Sequence, residues 1–489
     1  MNPSKLQGRG MLLPYSIMTT HWRNRVRYMG ALEEQEKTRI DRLWLEGYLR
    51  DKDKLAYLEA YLSHPCPELC QAAARAIIEE VLGEENKGLR LRALERLKPF
   101  SMPDPNNPCQ GQIDLHTHDF FSEDGYQTPS ALALEAYEKG LTGVAVISHN
   151  QRYDDDEAER AAQILGIDLF KGGEIVSYVV LKDRGVENIH ILQRYGENPP
   201  PEKLNEILRF YINRYGNELD ALGYDLEQAR NNPLEALKYL RLGSAQQLVG
   251  EKLQGLQNRF GNRLWLSEEE LHSAKRGDAV YPFTIAVALW RKYREVFQAG
   301  FLLEEGKPES RLVLGNVNAV YQQFIRVEKT NYRDEGDERT PDLKSIATRA
   351  ILLGRKLIIP HPSEYSTQAF EQILEDLALI ELGGKKYAGT LIGVEYYSNK
   401  LRGKYKEYVR EYIDKLNHEH PVYQHFPLYL LPGSDSHGQY SPDCPLGLGD
   451  NYPSDKARYK EEVYRVLKRP VIEFSTTELL RESRRRVFE

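Results

Sequence analysis

The sequence predicts an α/β fold, built on a parallel sheet or barrel and preceded by a helical region. From residue 112 onward, short β-branched and aliphatic runs alternate with helical stretches, which is typical of parallel sheets. The first hundred residues instead carry apolar residues at three- and four-residue spacing, which predicts helices. The stretch SMPDPNNPCQGQ at 101–112 is rich in proline and asparagine and is predicted to be the linker between the two regions.

The N-terminal region, residues 1–105, is predicted to be a helical domain. ALEEQEKTRIDRLWLEGYLR, PELCQAAARAIIEEVL and GLRLRALERL each show helical spacing, with short breaks between them. Their lengths indicate antiparallel helix pairs loosely like those of HEAT repeats, although no fixed period recurs. Helices of this kind offer a surface for a protein partner.

Short apolar runs mark the predicted strands of the second region, 106–489. The runs are QIDL (112–115), GVAVI (143–147), a short run before Glu174, NIHIL (188–192), KLIIP (356–360), LIGVEY (391–396), LYLLPG (428–433) and PVIEF (470–474). Between the first two, a helix is predicted to begin after Thr128-Pro129 and to end at Gly140. Residues 193–355 interrupt this rhythm with mostly helical patterns and are predicted to be an insertion into the α/β domain.

Composition narrows the class of protein. The 489 residues, 41% hydrophobic and 28% charged, have an ordinary globular composition. A net charge of -7 excludes a general nucleic-acid coat protein but leaves room for a local basic groove. No apolar run is long enough to span a membrane, no signal peptide is recognisable, and 4 cysteines exclude a disulfide scaffold. We therefore expect a cytoplasmic protein with no membrane association.

Histidines and acidic residues stand in or just after the predicted strands. They are His116, His118, His149, Glu174, His190, His361, Asp435 and His437. The carboxyl ends of parallel strands form one rim of a sheet or barrel. We therefore expect these side chains to converge, although they span 322 positions of sequence.

These residue types are metal ligands. Imidazole and carboxylate ligands without thiolates suit Zn, Mn or Fe. His116 and His118 are two positions apart, so on an extended strand both rings point to the same side. The set is larger than one tetrahedral ion needs, which predicts two or three divalent metal ions with a bridging carboxylate. Clustered metals suit phosphoester hydrolysis, because they lower the pKa of a bound water and neutralise phosphate oxygens.

Six stretches of the chain resemble a known family. They are DLHTHDFFSEDG, VISHN, GGEI, NIHIL, IIPHPSEYS and LLPGSDSHG, in family order over roughly residues 112–192 and 355–475. In these stretches the chain resembles the polymerase and histidinol phosphatase (PHP) superfamily of phosphoesterases. The resemblance implies a distorted β/α barrel of seven strands with a trinuclear metal site.

The resemblance also implies a ligand role for each of these residues and for Asp124, six positions after His118. The first metal would be held by His116, His118, Glu174 and Asp435; the second by Glu174 as a bridge, with His190 and His361; the third by Asp124, His149 and His437. Asp435, His437 and His149 would also serve catalysis, with Asp435 handling protons. Every one of the nine slots holds a competent residue, which favours a working catalytic site.

The extra length of the chain bears on the substrate. Small histidinol phosphatases of the family lack an N-terminal helical domain and a helical insertion of this size, so histidinol phosphate is a poor expectation. Members that act on nucleotides carry a smaller insertion at a similar place, which favours a nucleotide or a nucleic-acid end by analogy. Arg152, just after His149-Asn150, is the expected phosphate-binding residue. Glu395, the second-last residue of LIGVEY, is expected to contact the substrate or to orient a ligand.

Two other functions remain open at this point. The protein could be a DNA or RNA nuclease that works with a partner protein. It could also be mainly an interaction module, in which the N-terminal helices dock a partner and the metal site serves as a scaffold.

Overall fold

The computed structural model contains a seven-stranded sheet that curves into a nearly closed barrel, with helices packed around it. The described residues are 52–81, 86–122, 125, 127–149, 156–182, 185–194, 225–231, 233–274, 280, 282–315, 317–325, 343–352, 354–382, 385–386, 390–438 and 444–468. The predicted strand PVIEF and the first predicted N-terminal helix lie outside these ranges.

The main sheet supplies the frame of the molecule. The strands of the described residues are β1 (Ile113–Asp114), β2 (Gly143–His149), β3 (Asp168–Val180), β4 (Val186–Arg194), β5 (Phe301–Leu302), β6 (Arg311–Leu312), β7 (Lys356–Ile359), β8 (Glu381–Leu382), β9 (Lys385–Lys386), β10 (Leu391–Tyr397) and β11 (Tyr429–Pro432). Seven of them form the sheet in the order β1-β2-β3-β4-β7-β10-β11, while β5-β6 and β8-β9 are separate pairs. The edges β1 and β11 approach each other where the Leu115 N–H donates to the Pro432 carbonyl at 3.2 Å.

The predicted α/β barrel is confirmed, and the predicted runs before residue 470 coincide with its seven strands. One strand departs from the expected parallel arrangement: β4 is antiparallel to both β3 and β7. The cause is the connection, because residues 181–185 alone separate β3 from β4. Five residues can form a hairpin but cannot hold the crossover helix that a parallel pair needs.

The helices of the described residues complete the fold. They are α1 (Lys52–Tyr61), α2 (Pro67–Glu80), α3 (Lys87–Leu97), α4 (Pro129–Glu138), α5 (Asp156–Leu165), α6 (Leu226–Asn231), α7 (Pro233–Phe260), α8 (Glu268–Ala274), α9 (Pro282–Ala299), α10 (Val317–Val320), α11 (Leu343–Leu352), α12 (Thr367–Leu379), α13 (Gly403–Glu419), α14 (Pro421–His425) and α15 (Lys456–Leu467). The helix α4 begins as predicted, since the Thr128 side chain accepts a hydrogen bond from the Ala131 N–H and Pro129 holds the first position.

The barrel interior below the rim is apolar. Its buried side chains are Ile113, Leu115, Ala145, Ile147, Leu192, Ile358, Ile392 and Leu431, and they form one cluster with Val463 and Val466 of α15. A second cluster lies outside β7 and β10, where α11, α12 and α13 cover the sheet. Burial of these two faces fixes the strands, and with them the positions of the side chains at their ends.

The described N-terminal helices pack directly on barrel helices. Buried residues of α2 and α3 share one hydrophobic cluster with residues of α4 and α5. Within this contact Arg90 donates to Glu157 through Nε at 2.8 Å and Nη2 at 2.5 Å, and both side chains are fully buried. The Ser130 hydroxyl also donates to Glu157, at 2.7 Å. The predicted domain boundary near residue 105 stays a prediction.

The described part of residues 193–355 is mostly helical and has a core of its own. Helices α7, α8, α9 and α10 bury one cluster that includes Phe260, Phe283, Trp290 and Phe297. The boundaries of the predicted insertion stay a prediction, since 195–224 and 326–342 lie outside the described residues. Among the helices that are described, none combines the length and the apolar character needed to cross a bilayer.

Candidate metal centre

The segment that follows β1 carries the His-x-His pair into the barrel rim. The Thr117 carbonyl accepts from the Ile147 N–H at 2.8 Å, and the His118 N–H donates to the Ser436 carbonyl at 2.7 Å. This pairing on both sides keeps the segment extended, so His116 and His118 project to the same side, as their spacing predicts. Both rings are fully buried.

Four side chains meet at this point. The Nε2 atoms of His116 and His118 are 3.0 Å apart. The Oδ1 atom of Asp435 is 3.3 Å from the first and 3.1 Å from the second. The Oε2 atom of Glu174 is 3.5 Å and 3.3 Å from the same two nitrogens. Lone pairs of two imidazoles and two carboxylates thus converge on one volume.

Neighbouring groups turn these two rings so that Nε2 faces the centre. The Nδ1 atom of His116 is 2.8 Å from Glu395 Oε2, a carboxylate that is 1% exposed. The Nδ1 atom of His118 is 3.0 Å from the Ser122 hydroxyl. A carboxylate can only accept, so His116 carries its proton on Nδ1 when the ring is neutral. This carboxylate–imidazole arrangement is the usual support of a metal-binding histidine.

Each oxygen of Glu174 faces a different group of histidines. While Oε2 faces His116 and His118, Oε1 is 2.7 Å from His190 Nδ1 and 3.0 Å from His361 Nε2. The β3–β4 register accounts for part of this, because Glu174 pairs with Leu192 and Val176 pairs with His190. Glu174 and His190 therefore project from the same face of the hairpin.

A third group shares His118 with the first. Ligand atoms of His118, His149 and His437 lie within 4.8 Å of one another. The His118 ring centroid is 4.6 Å from that of His149 and 4.3 Å from that of His437, and the latter two are 6.3 Å apart. The Nδ1–H of His437 donates to the Asp435 carbonyl at 3.0 Å, which leaves the lone pair on Nε2 in the neutral ring.

Two of the residues that converge here have unusual backbone conformations. His361 has φ 27° and Asp435 has φ 55°, both in the left-handed region that non-glycine residues rarely adopt. Each follows the end of a strand, β7 or β11, and the turn directs its side chain inward. Strain of this kind concentrates at functional sites, where the surrounding packing holds it.

The charges of the centre shift its pKa values in different directions. Burial disfavours the ionised form of Asp435, but His116, His437, His118 and Lys400 together outweigh it and hold the pKa of that carboxyl well below its usual range. Burial, reinforced by His437 and His149, lowers the pKa of His118. An ionised carboxylate and an unprotonated imidazole are the forms that bind metal ions.

The donor set fits divalent metal ions. Three groups of ligand atoms, each within 4.8 Å, are present among the described residues: His116, His118, Glu174 and Asp435; Glu174, His190 and His361; His118, His149 and His437. They contain nitrogen and oxygen donors without thiolates, which suits Zn, Mn or Fe. Buried lone pairs that face one another are stabilised by a cation between them.

The structure therefore brings together eight of the nine predicted ligands. Asp124 and Arg152 lie outside the described residues. Glu395 lies against His116 inside the barrel, where it has the contact that orients a ligand, and a direct contact of Glu395 with substrate stays a prediction.

Several residues that contact the centre are not among the predicted site residues. The Lys400 ammonium contacts Asp435 Oδ2 and is 2.8 Å from Glu364 Oε1. The Tyr365 hydroxyl accepts from the His190 N–H at 3.1 Å and donates to the carbonyl of the same residue at 3.2 Å. Glu364 and Tyr365 belong to the stretch IIPHPSEYS, which follows β7, and Lys400 follows β10 by three residues. Their positions after the ends of strands are the feature of the sequence that could have indicated a place in the site.

Comparison with known proteins gives limited similarity. No protein-family model and no curated protein matches the chain. A solved structure described as a metal-dependent phosphoesterase from Bifidobacterium adolescentis is 18% identical with a TM-score of 0.44, over 74% of this chain and 96% of that chain. An amidohydrolase from Chromobacterium violaceum, with bound sulfate and no metal, is 17% identical with a TM-score of 0.40, over 67% and 87%. At these values the chemistry of this chain has to be inferred from its own side chains.

Proposed function

We propose that this protein is a metal-dependent phosphoesterase that acts on a nucleotide or a nucleic-acid end. The observation that carries the proposal is Glu174, whose two oxygens face different groups of histidines in one buried centre. Linked sites with a shared carboxylate hold metal ions close together, and such ions suit phosphoester hydrolysis.

In this proposal the three groups of donors hold two or three divalent ions. His116, His118 and Asp435 would hold one, and His190 and His361 a second, with Glu174 between the two. His149 and His437 would belong to a third, for which the sequence adds Asp124. These ions would supply Lewis acidity toward the phosphate oxygens and a lowered pKa for water.

The side chains of the centre then have distinct roles. Glu395 accepts the Nδ1–H of His116 and keeps that ring turned toward the centre. The Ser122 hydroxyl does the same for His118. Asp435 faces His116 and His118 through Oδ1 and Lys400 through Oδ2, and the proton transfer expected of it stays a prediction. Because the centre is buried, bulk water is kept from these polar contacts, and the contacts are stronger than they would be in water.

The activity is tested with a model phosphoester and purified protein. The wild-type chain, loaded with Mn, is expected to hydrolyse p-nitrophenyl phosphate or its diester, and His116→Ala is expected to abolish the activity. His418→Ala serves as the matched control, because the His418 side chain is exposed in the last turn of α13 and its ring contacts the Asp414 carbonyl of the same helix. Retained hydrolysis in His116→Ala would overturn the assignment.

The kind of phosphoester is tested with a substrate panel. It comprises mononucleotides, a nucleoside 3′,5′-bisphosphate and labelled single- and double-stranded DNA. Release of phosphate from the small substrates supports the nucleotide proposal. Degradation of DNA without release from mononucleotides would instead assign the protein as a nuclease.

The N-terminal helices are proposed to be a surface for a protein partner. Deletion of residues 1–105 is a poor test of this, because it would remove Arg90 and leave Glu157 without its guanidinium. Substitution of exposed side chains on α1 tests recruitment without that loss. A protein that binds partners through α1 and hydrolyses no phosphoester with any metal would be an interaction module.

A further inference from the structure

Lys400 brings a positive charge to the edge of the metal centre. It lies in the loop that follows β10, and its ammonium group contacts Asp435 Oδ2 and Glu364 Oε1, the latter at 2.8 Å. Its side chain is 28% exposed, whereas Asp435 is 5% exposed. Lys400 thus reaches inward to a buried residue of the centre and remains accessible from outside.

The two oxygens of Asp435 serve different neighbours. Oδ1 faces the Nε2 atoms of His118 and His116, at 3.1 Å and 3.3 Å. Oδ2 faces Lys400. A cation held by Oδ1 and the two histidines therefore does not compete with Lys400 for the same oxygen. The ammonium group remains next to the centre, with a single carboxylate between them.

The second contact of Lys400 is of a different kind. Glu364 is 31% exposed, and its other oxygen lies 3.5 Å from His361 Nδ1. Ion pairs between partly exposed side chains contribute about 0–1 kcal/mol, because water competes for both charges. An anion with strong acceptor oxygens can therefore replace Glu364 at Lys400 at small cost.

We propose that Lys400 binds a non-bridging oxygen of the substrate's phosphate group, exchanging Glu364 for that oxygen while it keeps Asp435. The ammonium group holds the phosphate beside the metal centre and adds positive charge there. Glu364 restrains Lys400 in the absence of substrate. This inference rests on the proposed phosphoesterase function and names one of the residues that recognise its substrate.

The test measures binding of inorganic phosphate to the full-length, Mn-loaded protein by calorimetry, with metal content measured on the same samples. Lys400→Met is expected to weaken phosphate binding roughly 10- to 100-fold, since a hydrogen bond to a charged group is lost. Lys400→Arg is expected to restore part of the affinity. Lys415→Met is the matched control, because Lys415 is an exposed lysine near the far end of α13.

A second variant tests the exchange of partners. Glu364→Gln removes the competing charge, so phosphate binding is expected to tighten about two- to fivefold, within the range of an exposed ion pair. Unchanged or weaker binding in Glu364→Gln, at full metal content, would contradict the exchange.

The remaining outcomes separate this inference from the proposed function. If the wild type hydrolyses phosphoesters and Lys400→Met binds phosphate equally well, the role of Lys400 is wrong and the function stands. If Lys400→Met loses metal, Lys400 positions Asp435 and the inference is likewise overturned. If the wild type neither binds phosphate nor hydrolyses phosphoesters, the proposed function itself fails.

Discussion

Charged side chains are buried at two places, the contact between α3 and α5 and the rim of the barrel. The hydrogen-bonding partners of these side chains differ between the two places. At the contact, the Arg90 guanidinium meets the Glu157 carboxylate, and its third nitrogen donates to the Val81 carbonyl at 2.9 Å. Each of the three guanidinium nitrogens there donates to an oxygen of the chain. At the rim, the acceptor atoms of His116, His118 and Asp435 face one another.

The difference separates a structural use of buried charge from a binding use. A pair that is complete within the chain contributes specificity of packing and needs nothing else. A set of converging acceptors leaves a deficit of positive charge, which a cation can offset. Mutations at the two places are therefore expected to affect different measurements.

The largest effect is expected for Glu174→Gln at the rim. The amide cannot offer two anionic oxygens to two groups of histidines, so bound metal and phosphoester hydrolysis should both fall, the latter roughly 1,000-fold or more. Metal analysis and single-turnover rates measure this, and circular dichroism checks the fold. A Glu174→Gln protein with its full metal content would contradict the linked arrangement.

At the contact, Arg90→Met should lower stability rather than activity. The change leaves the Glu157 carboxylate buried without its guanidinium, which costs about 3–5 kcal/mol. Thermal unfolding measures the loss. The double variant Arg90→Met, Glu157→Leu should recover part of it, because no lone charge remains.

Metal content per folded molecule should be unchanged in Arg90→Met. Loss of metal from the folded variant would show that the contact and the rim are coupled, and the distinction drawn between them would be wrong.

A smaller effect is expected for Glu395→Gln, which lies behind the rim. The amide can still accept from His116 Nδ1 but lacks the charge that makes the imidazole a stronger ligand. Metal affinity should fall about 10- to 100-fold, as for other supports of metal-binding histidines. Competition with a chelator measures this. Glu407→Gln, on the exposed face of α13, is the control and should bind metal as the wild type does.

The sequence could predict the ligands that local geometry places, such as His116 and His118 on one extended segment. It could also predict convergence of strand ends, because a barrel brings them to one rim. It could not predict the Lys400–Glu364 contact, which joins two loops that are 36 residues apart and depends on how the strands before them pack.

The orientation of β4 was within reach of the sequence. Two runs rich in apolar and β-branched residues flank Asp183-Arg184-Gly185, and so short an interval favours a hairpin. The alternation of strands and helices over the whole region favours a parallel sheet or barrel, and β4 is the local exception to it. His190 lies in the middle of β4, as Glu174 lies in the middle of β3, because the β3–β4 hairpin continues beyond the point where β2 ends opposite Glu174.

The contact between α2 and α4 is intermediate between the complete pair at Arg90 and the converging acceptors at the rim. The smallest effect is expected there. Arg75 there contacts two carboxylates, Glu138 and Glu79, the latter at 3.5 Å. Burial raises the pKa of Glu79 to about 7, with Arg75 opposing the shift and Glu138 adding to it. As the pH rises, the unfolded chain releases this proton near pH 4.5, whereas the folded chain keeps it until about pH 7. Stability is therefore lost as the pH rises from about 4.5 to about 7.

Glu79→Gln removes this titration. Relative to the wild type, the variant should gain about 1 kcal/mol of stability between pH 5 and pH 8, once the partial exposure of Glu79 is allowed for. The difference between the two melting temperatures at each pH isolates Glu79 from the other titrating groups, which both proteins share. An equal difference at pH 5 and pH 8 would mean that Glu79 is already ionised at pH 5. The single guanidinium of Arg75 would then satisfy two carboxylates, and the α2–α4 contact would belong with the complete pair at Arg90.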